Sequence, residues 1–173
     1  MTSFLILGGA RSGKSSYAEK LALSRADNPV YIATSRAWDD DHRARILKHQ
    51  QDRGPEWTTL EREKAISDVD VHGRQIVIDC VTLWLTNFFV DEKPDYERAL
   101  RLVKEEALKA LAQDNDLIFV SNELGMSLHA PTQFGRKFTD AQGFLNQFLA
   151  AQCDTVVLMV AGIPLTVKSP PSK

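Results

Sequence analysis

An α/β fold, with a mostly parallel central sheet flanked by helices, is the class that this sequence predicts. Three observations lead there. Short unbroken apolar runs recur along the chain, the pattern of strands buried on both faces. Between them lie longer stretches whose apolar residues recur every three or four positions, as on a helix with one buried face. The first run, Phe4 to Leu7, ends in a glycine-rich turn that leads directly into such a stretch. Strands alternating with helices join as parallel crossover units.

The elements follow in order. Phe4 to Leu7 is the first strand, and Ser15 to Ser24 a helix with Tyr17, Ala18, Leu21 and Ala22 on one side. Pro29 to Ala33 is a second strand. Asp39 to Gln51 reads as a helix that opens on an acidic cluster and stops before Gly54-Pro55. Trp57 to Leu60 is a short strand candidate, and Ile76 to Ile78 a β-branched third strand. An apolar segment, Val81 to Val90, precedes Asp91-Glu92-Lys93-Pro94. Asp95 to Asp114 is an amphipathic helix with Tyr96, Ala99, Leu100, Val103, Ala107, Leu108 and Leu111 inward. Leu117 to Val120 is a fourth strand. Gly135 to Gln152 is a helix with Phe144, Leu145, Phe148 and Leu149 inward. Thr155 to Val160 is a fifth strand, and Leu165 to Val167 a short last one.

Composition bounds the function. The chain has 173 residues, 43% hydrophobic and 25% charged, which suits one ordinary globular domain. We expect a single domain over residues 1–168 and a flexible tail at 169–173. With 21 Lys and Arg against 23 Asp and Glu the net charge is -2, so a broad grip on nucleic acid is not expected. The first apolar run is too short for a secretory signal, and no run approaches a membrane helix. Cys80 and Cys153 show no metal-binding spacing and read as packed, reduced thiols. A cytoplasmic protein is the expectation.

Gly8-Gly9-Ala10-Arg11-Ser12-Gly13-Lys14-Ser15 matches G-x-x-x-x-G-K-[ST] between a strand and a helix, the context this phosphate-binding pattern requires. The glycines let backbone N–H groups curl around a phosphate chain, and the helix N-terminus adds its dipole. Lys14 would reach the β- and γ-phosphates, and the Ser15 hydroxyl would sit on Mg²⁺. Such a loop works with a carboxylate at a neighbouring strand end. Asp79 is the candidate, unless it serves as the N-cap of the segment from Val81. Glu123 ends another strand and would line the same cleft.

The Asp39 to Arg53 stretch is the second unusual feature. On a helix His42, Arg45, His49 and Arg53 share one face. That face is either solvated or a second phosphate site. In the second case a neutral imidazole can attack phosphorus while the arginines neutralise charge. His72 and His129 read as surface residues, and Trp38, Trp57 and Trp84 as packing residues that could instead stack a ring.

The combination resembles one family. Its carriers are the Gly8 to Ser15 loop, Tyr31-Ile32-Ala33-Thr34, Arg45-Ile46-x-x-His49-x-x-x-Arg53 and Trp57-x-x-x-Glu61. Asp79-Cys80-Val81-Thr82-Leu83-Trp84-Leu85-Thr86-Asn87, Ser121 to Gly125 and Ala161 to Leu165 complete the set. The chain is similar over about residues 3 to 168 to the bifunctional adenosylcobinamide kinase / adenosylcobinamide-phosphate guanylyltransferases of cobalamin synthesis. The resemblance implies a RecA-like P-loop NTPase fold and a homotrimer. It implies phosphorylation of adenosylcobinamide by ATP or GTP, then transfer of GMP from GTP to adenosylcobinamide phosphate through a guanylyl-histidine at His49. It places nucleotide contacts at Gly8 to Ser15, at Thr34, Ser35 and Arg36, at Gln50, Gln51, Asp52 and Arg53, and at Glu61 and Asp79. Asp41-His42 departs from the Glu-Met frequent there. The alternatives are a P-loop kinase of another small metabolite without a covalent histidine, and a nucleotide-dependent switch without turnover.

Overall fold

Seven strands form one sheet in the order β3-β2-β4-β5-β1-β6-β7 in the computed structural model, which describes residues 1–36 and 54–170. The strands are β1 (Ser3–Gly8), β2 (Val30–Ala33), β3 (Thr58–Glu61), β4 (Gln75–Asp79), β5 (Asp116–Asn122), β6 (Thr155–Val160) and β7 (Ile163–Lys168). The first six pair in parallel, and β7 runs antiparallel to β6 along the edge. The described helices are α1 (Lys14–Leu23), α2 (Val81–Asp91), α3 (Tyr96–Leu111) and α4 (Gln133–Gln152). The helix expected over Asp39 to Gln51 lies outside the described residues.

Side chains that alternate along each strand divide the core in two. Ile6, Val77, Ile118, Val120 and Val157 pack on Ala18 and Ala22 of α1. Leu5, Ile78, Leu117 and Phe119 pack on the other face against α2, α3 and α4, through Trp84, Phe89, Val103 and Leu145. Hence the strand centres contain almost no polar residue: either face would bury it.

The connections place a crevice. From β1 the chain crosses by α1 on one face to β2, while from β5 it crosses by α4 on the opposite face to β6. Helices leaving adjacent strands for opposite faces open a gap at their carboxyl ends, where ligands of open α/β sheets collect. The register brings Gly8 opposite Asn122 at this gap.

Several expected details change. The last helix starts at Gln133 rather than Gly135, because the Thr132 hydroxyl accepts from the Gly135 N–H at 3.0 Å and caps it. The final strand spans six residues, since pairing with β6 continues to either side of Leu165 to Val167. Leu108 and Phe144, expected inward, are 46% and 54% exposed. Each stands one position from its helix's buried stripe, Ala107 on α3 and Leu145 on α4, and so is rotated about 100° away from it. Buried polar residues take places that the apolar pattern does not mark. Glu106 accepts from the Ser67 N–H and hydroxyl at 2.8 and 2.7 Å. Among the described residues no helix is long and apolar enough to cross a membrane.

Phe119 lies in the central strand with no exposed surface. Phe119→Ala should lower the unfolding free energy by about 3–5 kcal/mol in denaturant titration.

Candidate active site

The loop between β1 and α1 carries the densest set of constraints. A Cβ on Gly8 would stand 2.5 Å from the Ser12 Oγ and 2.8 Å from the Met159 carbonyl oxygen, so only glycine fits there. Gly13 has φ 92°, in the left-handed region where side chains are strained. Arg11 is also left-handed, at φ 59°. The loop is braced from the side: the Gly162 N–H, in the β6–β7 turn, donates to the Ser12 carbonyl at 3.0 Å. The Ala161-Gly162 segment therefore has a physical reason to accompany the loop motif.

Lys14 is 8% exposed, and its Nζ donates to the Gly9 carbonyl at 2.8 Å. Burial lowers its pKa, opposed by the negative charge of Asp79. The ammonium thus spans the loop that it would leave to meet a phosphate. The buried Ser12 hydroxyl has no hydrogen-bond partner among the described residues. Such an orphan in a loop shaped by glycine points to an oxygen-rich ligand. Ser15 is half-buried in the first turn of α1.

Asp79 ends β4, level with Ala33 of β2 and Val120 of β5. It is half-buried, and its Oδ2 accepts from the Tyr31 hydroxyl at 2.8 Å. The N-cap of α2 is Cys80 rather than Asp79, which removes the capping alternative. A hydroxyl on Ser15 and a carboxylate on Asp79 are hard oxygen donors, the chemistry that suits Mg²⁺ alongside phosphate oxygens. No cluster of three or more His, Cys, Asp or Glu able to hold a metal alone occurs among the described residues.

Thr34 is fully buried, with its hydroxyl donated to the Cys80 carbonyl at 2.8 Å and its own carbonyl accepting from Asn87 Nδ2 at 2.8 Å. Asn87 Nδ2 also donates to the Glu63 carbonyl at 2.8 Å. Thr34 and Asn87 therefore tie the ends of β2 and β4 to α2. Ser35 is half-buried beside them. Arg36 donates to Glu63 at 2.7 Å and to both oxygens of Asp91 at 2.8 and 3.0 Å. These bonds raise the Arg36 pKa and hold the Asp91 carboxyl well below the usual carboxylate range. Glu61 is exposed at the end of β3. Trp84 belongs to the core, its indole N–H donated to the Lys64 carbonyl at 2.8 Å. His72 and His129 are exposed. Trp38, His42, Arg45, His49, Gln50, Gln51, Asp52 and Arg53 lie outside the described residues.

Sequence reading missed the support behind β5. The Ser121 hydroxyl donates to Asn146 Oδ1 at 2.6 Å, and Gln142 Nε2 donates to both at 2.9 and 3.0 Å. Asn146 Nδ2 donates to the Asn122 carbonyl at 3.0 Å. Four-residue spacing of Gln142 and Asn146 on a helix facing Ser121 was the available signal.

The fold recurs in solved structures. A prototypical ATPase from the type III secretion system of pathogenic bacteria covers 95% of this chain and 56% of its own at a TM-score of 0.57 and 9% identity. A KaiC-like protein of Pyrococcus horikoshii covers 99% and 81% at 0.51 and 12%. The chain therefore has the RecA-like P-loop NTPase fold. The family model described as cobinamide kinase / cobinamide phosphate guanyltransferase matches residues 4–167. The chain belongs to that family. It is 38% identical over 173 residues to the bifunctional adenosylcobalamin biosynthesis protein CobP of Pseudomonas aeruginosa, covering 96% of this chain and 98% of that one. It is 34% identical over 179 residues to the bifunctional adenosylcobalamin biosynthesis protein CobU of Escherichia coli, covering 95% and 98%. Family membership thus rests on nearly the whole chain and not on the loop motif alone.

Two outcomes follow from this geometry. Gly8→Ala should weaken nucleotide binding at least tenfold in a titration, because the added methyl displaces Ser12 or β6. Burial pushes the Cys153 thiol up to about 12. The unfolded chain ionises this thiol at lower pH than the native one, so its neutral burial favours the native state fully below pH ~9 and progressively less as pH rises toward 12. At pH 8 Cys153 of the native protein should react with a thiol reagent more than tenfold slower than in unfolded protein; equal rates would contradict its burial.

Proposed function

We propose that this chain phosphorylates the aminopropanol hydroxyl of adenosylcobinamide and then joins GMP to the new phosphate, giving adenosylcobinamide-GDP and pyrophosphate. The observation that carries this reading is the family match across residues 4–167 on a chain with a glycine-shaped phosphate loop. GTP serves the second step, and ATP or GTP the first.

In the kinase step the backbone N–H groups of Gly9 to Lys14 wrap the β-phosphate. Lys14 leaves the Gly9 carbonyl for the β- and γ-phosphate oxygens. Its exchange of a neutral acceptor for a charged one strengthens in a site with little water. The Ser12 hydroxyl gains the acceptor it lacks. Ser15 and Asp79 would hold Mg²⁺, which when bound neutralises phosphate charge. The Tyr31 hydroxyl fixes the Asp79 carboxylate by donating to its Oδ2.

In the transfer step His49 attacks the α-phosphorus of GTP, its N–P bond forming as the bond to pyrophosphate breaks. The cobinamide phosphate oxygen then displaces the histidine. Arg45 and Arg53, four residues to either side, would stabilise the charge on phosphorus, with Gln50, Gln51, Asp52, Glu61, Thr34, Ser35 and Arg36 as further nucleotide contacts. Arg36 would act by ordering the β2 end through Asp91 as much as by direct contact. A homotrimer fits the β7 edge, whose six residues are all exposed.

The test uses GTP labelled at the α-phosphate, with Mg²⁺, followed by denaturation. Wild type should retain an acid-labile, alkali-stable label, as a phosphoramidate does. His49→Ala should abolish the label but leave phosphorylation of adenosylcobinamide within about threefold. Lys14→Ala should reduce both by about 100-fold or more. Turnover without any label would favour a P-loop kinase lacking the covalent histidine.

A further inference from the structure

The phosphate loop fills one wall of the crevice between β1 and β5. Beside that loop starts the segment that leaves β5, Glu123 to Thr132, which the nucleotide chemistry leaves without a task. Its start is firmly held. The Glu123 N–H donates to the Gly8 carbonyl at 3.0 Å, one step beyond the pairing of Asn122 with Gly8. The carbonyl before it is fixed by Asn146, inside the buried Ser121–Gln142–Asn146 network. Glu123 is half-buried, and its carboxylate accepts from the Gly125 N–H at 2.5 Å. Among the described residues no lysine or arginine pairs with it. Among the described residues the Gly125 N–H is the group that meets this carboxylate, which leaves lone pairs open to a ligand. Beyond it the loop turns two large apolar side chains to solvent, Met126 at 80% and Leu128 at 96% exposure.

We propose that this segment is the acceptor side of the kinase site: Glu123 takes the proton of the attacking alcohol, and Met126 and Leu128 carry the apolar face of the macrocycle that bears it. The proposal rests on the kinase reading above and extends it to the second substrate. The occupant follows from position and chemistry. An alcohol attacking the γ-phosphate must enter beside the loop that holds that phosphate, and β5 is the strand next to β1 on the side of Asp79. A corrin ring offers a broad apolar face, and an unbranched thioether adapts to such a surface. The step balances. The alcohol oxygen forms a bond to the γ-phosphorus, the bond from that phosphorus to the β,γ-bridging oxygen breaks, the nucleoside diphosphate leaves, and the alcohol proton passes to Glu123. General-base help of this kind contributes about 10²–10⁴-fold.

A second candidate for the ring is the open cavity of about 370 Å³ between α2, α3 and α4, lined by Phe89, Tyr96, Leu100, Lys137 and Phe144. It lies among helices rather than at the strand ends, which makes it the control. Four proteins are compared: wild type, Glu123→Gln, the double variant Met126→Ser/Leu128→Ser, and Phe144→Ser. Each is assayed for cobinamide phosphorylation, for cobinamide binding by equilibrium dialysis read from corrinoid absorbance, and for protein-bound label from α-labelled GTP. Glu123→Gln should lower kcat at least about 100-fold with dialysis Kd unchanged. The double variant should raise Kd and KM at least tenfold with kcat within threefold. Phe144→Ser should match wild type, and all four should take the GTP label equally, which reports an intact fold and nucleotide site. The proposal fails if Glu123→Gln keeps wild-type kcat, if the double variant keeps wild-type Kd, or if Phe144→Ser alone weakens binding. Wild type that never phosphorylates cobinamide overturns the kinase reading, and this inference with it.

Discussion

A phosphate chain concentrates negative charge that water solvates well, so a protein must offer something better than water in a small space. Here the offer is made by the way β1 stops. Backbone N–H groups have to face inward around Gly8 to Gly13, and no side chain can stand where the backbone closes on β6. Every neighbouring feature serves that closure. Central placement of β1 between β5 and β6 fixes both sides of the loop, α1 presents its N-terminus, and the β6–β7 turn holds the Ser12 carbonyl from outside. Lys14, its charge disfavoured by burial, waits on a carbonyl that it can leave.

Around this centre the polar residues divide into those that face the crevice and those that hold it open. Thr34 and Asn87 illustrate the second kind. Their bonds run between backbone carbonyls of three separate segments, so the strand ends keep a fixed spacing. Arg36 works similarly through charge: its paired bonds to Asp91 clamp the exit of β2 onto the end of α2. An exposed pair of this sort contributes little on its own, but a guanidinium bridging two carboxylates loses less side-chain freedom per bond.

Much of this was legible in the sequence, and the physical reason is periodicity. Unbroken apolar runs marked β1, β2, β4, β5 and β6, because both faces of a central strand are covered. The loop motif was legible because its glycines answer to steric demands that no other residue meets. Less was legible where burial and polarity coincide. Asn87, Gln142 and Asn146 look like surface residues until partners as distant in sequence as Thr34, Glu63 and Ser121 are brought to them. Leu108 and Phe144 fail for a smaller reason: one residue's rotation on a helix separates the core from open grooves. The shared face of His42, Arg45, His49 and Arg53 stands on spacing, since those residues lie outside the described structure.

The bond from the Gly162 N–H to the Ser12 carbonyl ties the phosphate loop to a hairpin whose second strand is the edge of the sheet. A chain built this way hides a dependency from anyone who ranks positions by distance to the chemistry. Substitutions in the Ala161-Gly162 turn would register as losses of nucleotide use, and a saturation scan would draw the border of the active site around a piece of the sheet's outer rim.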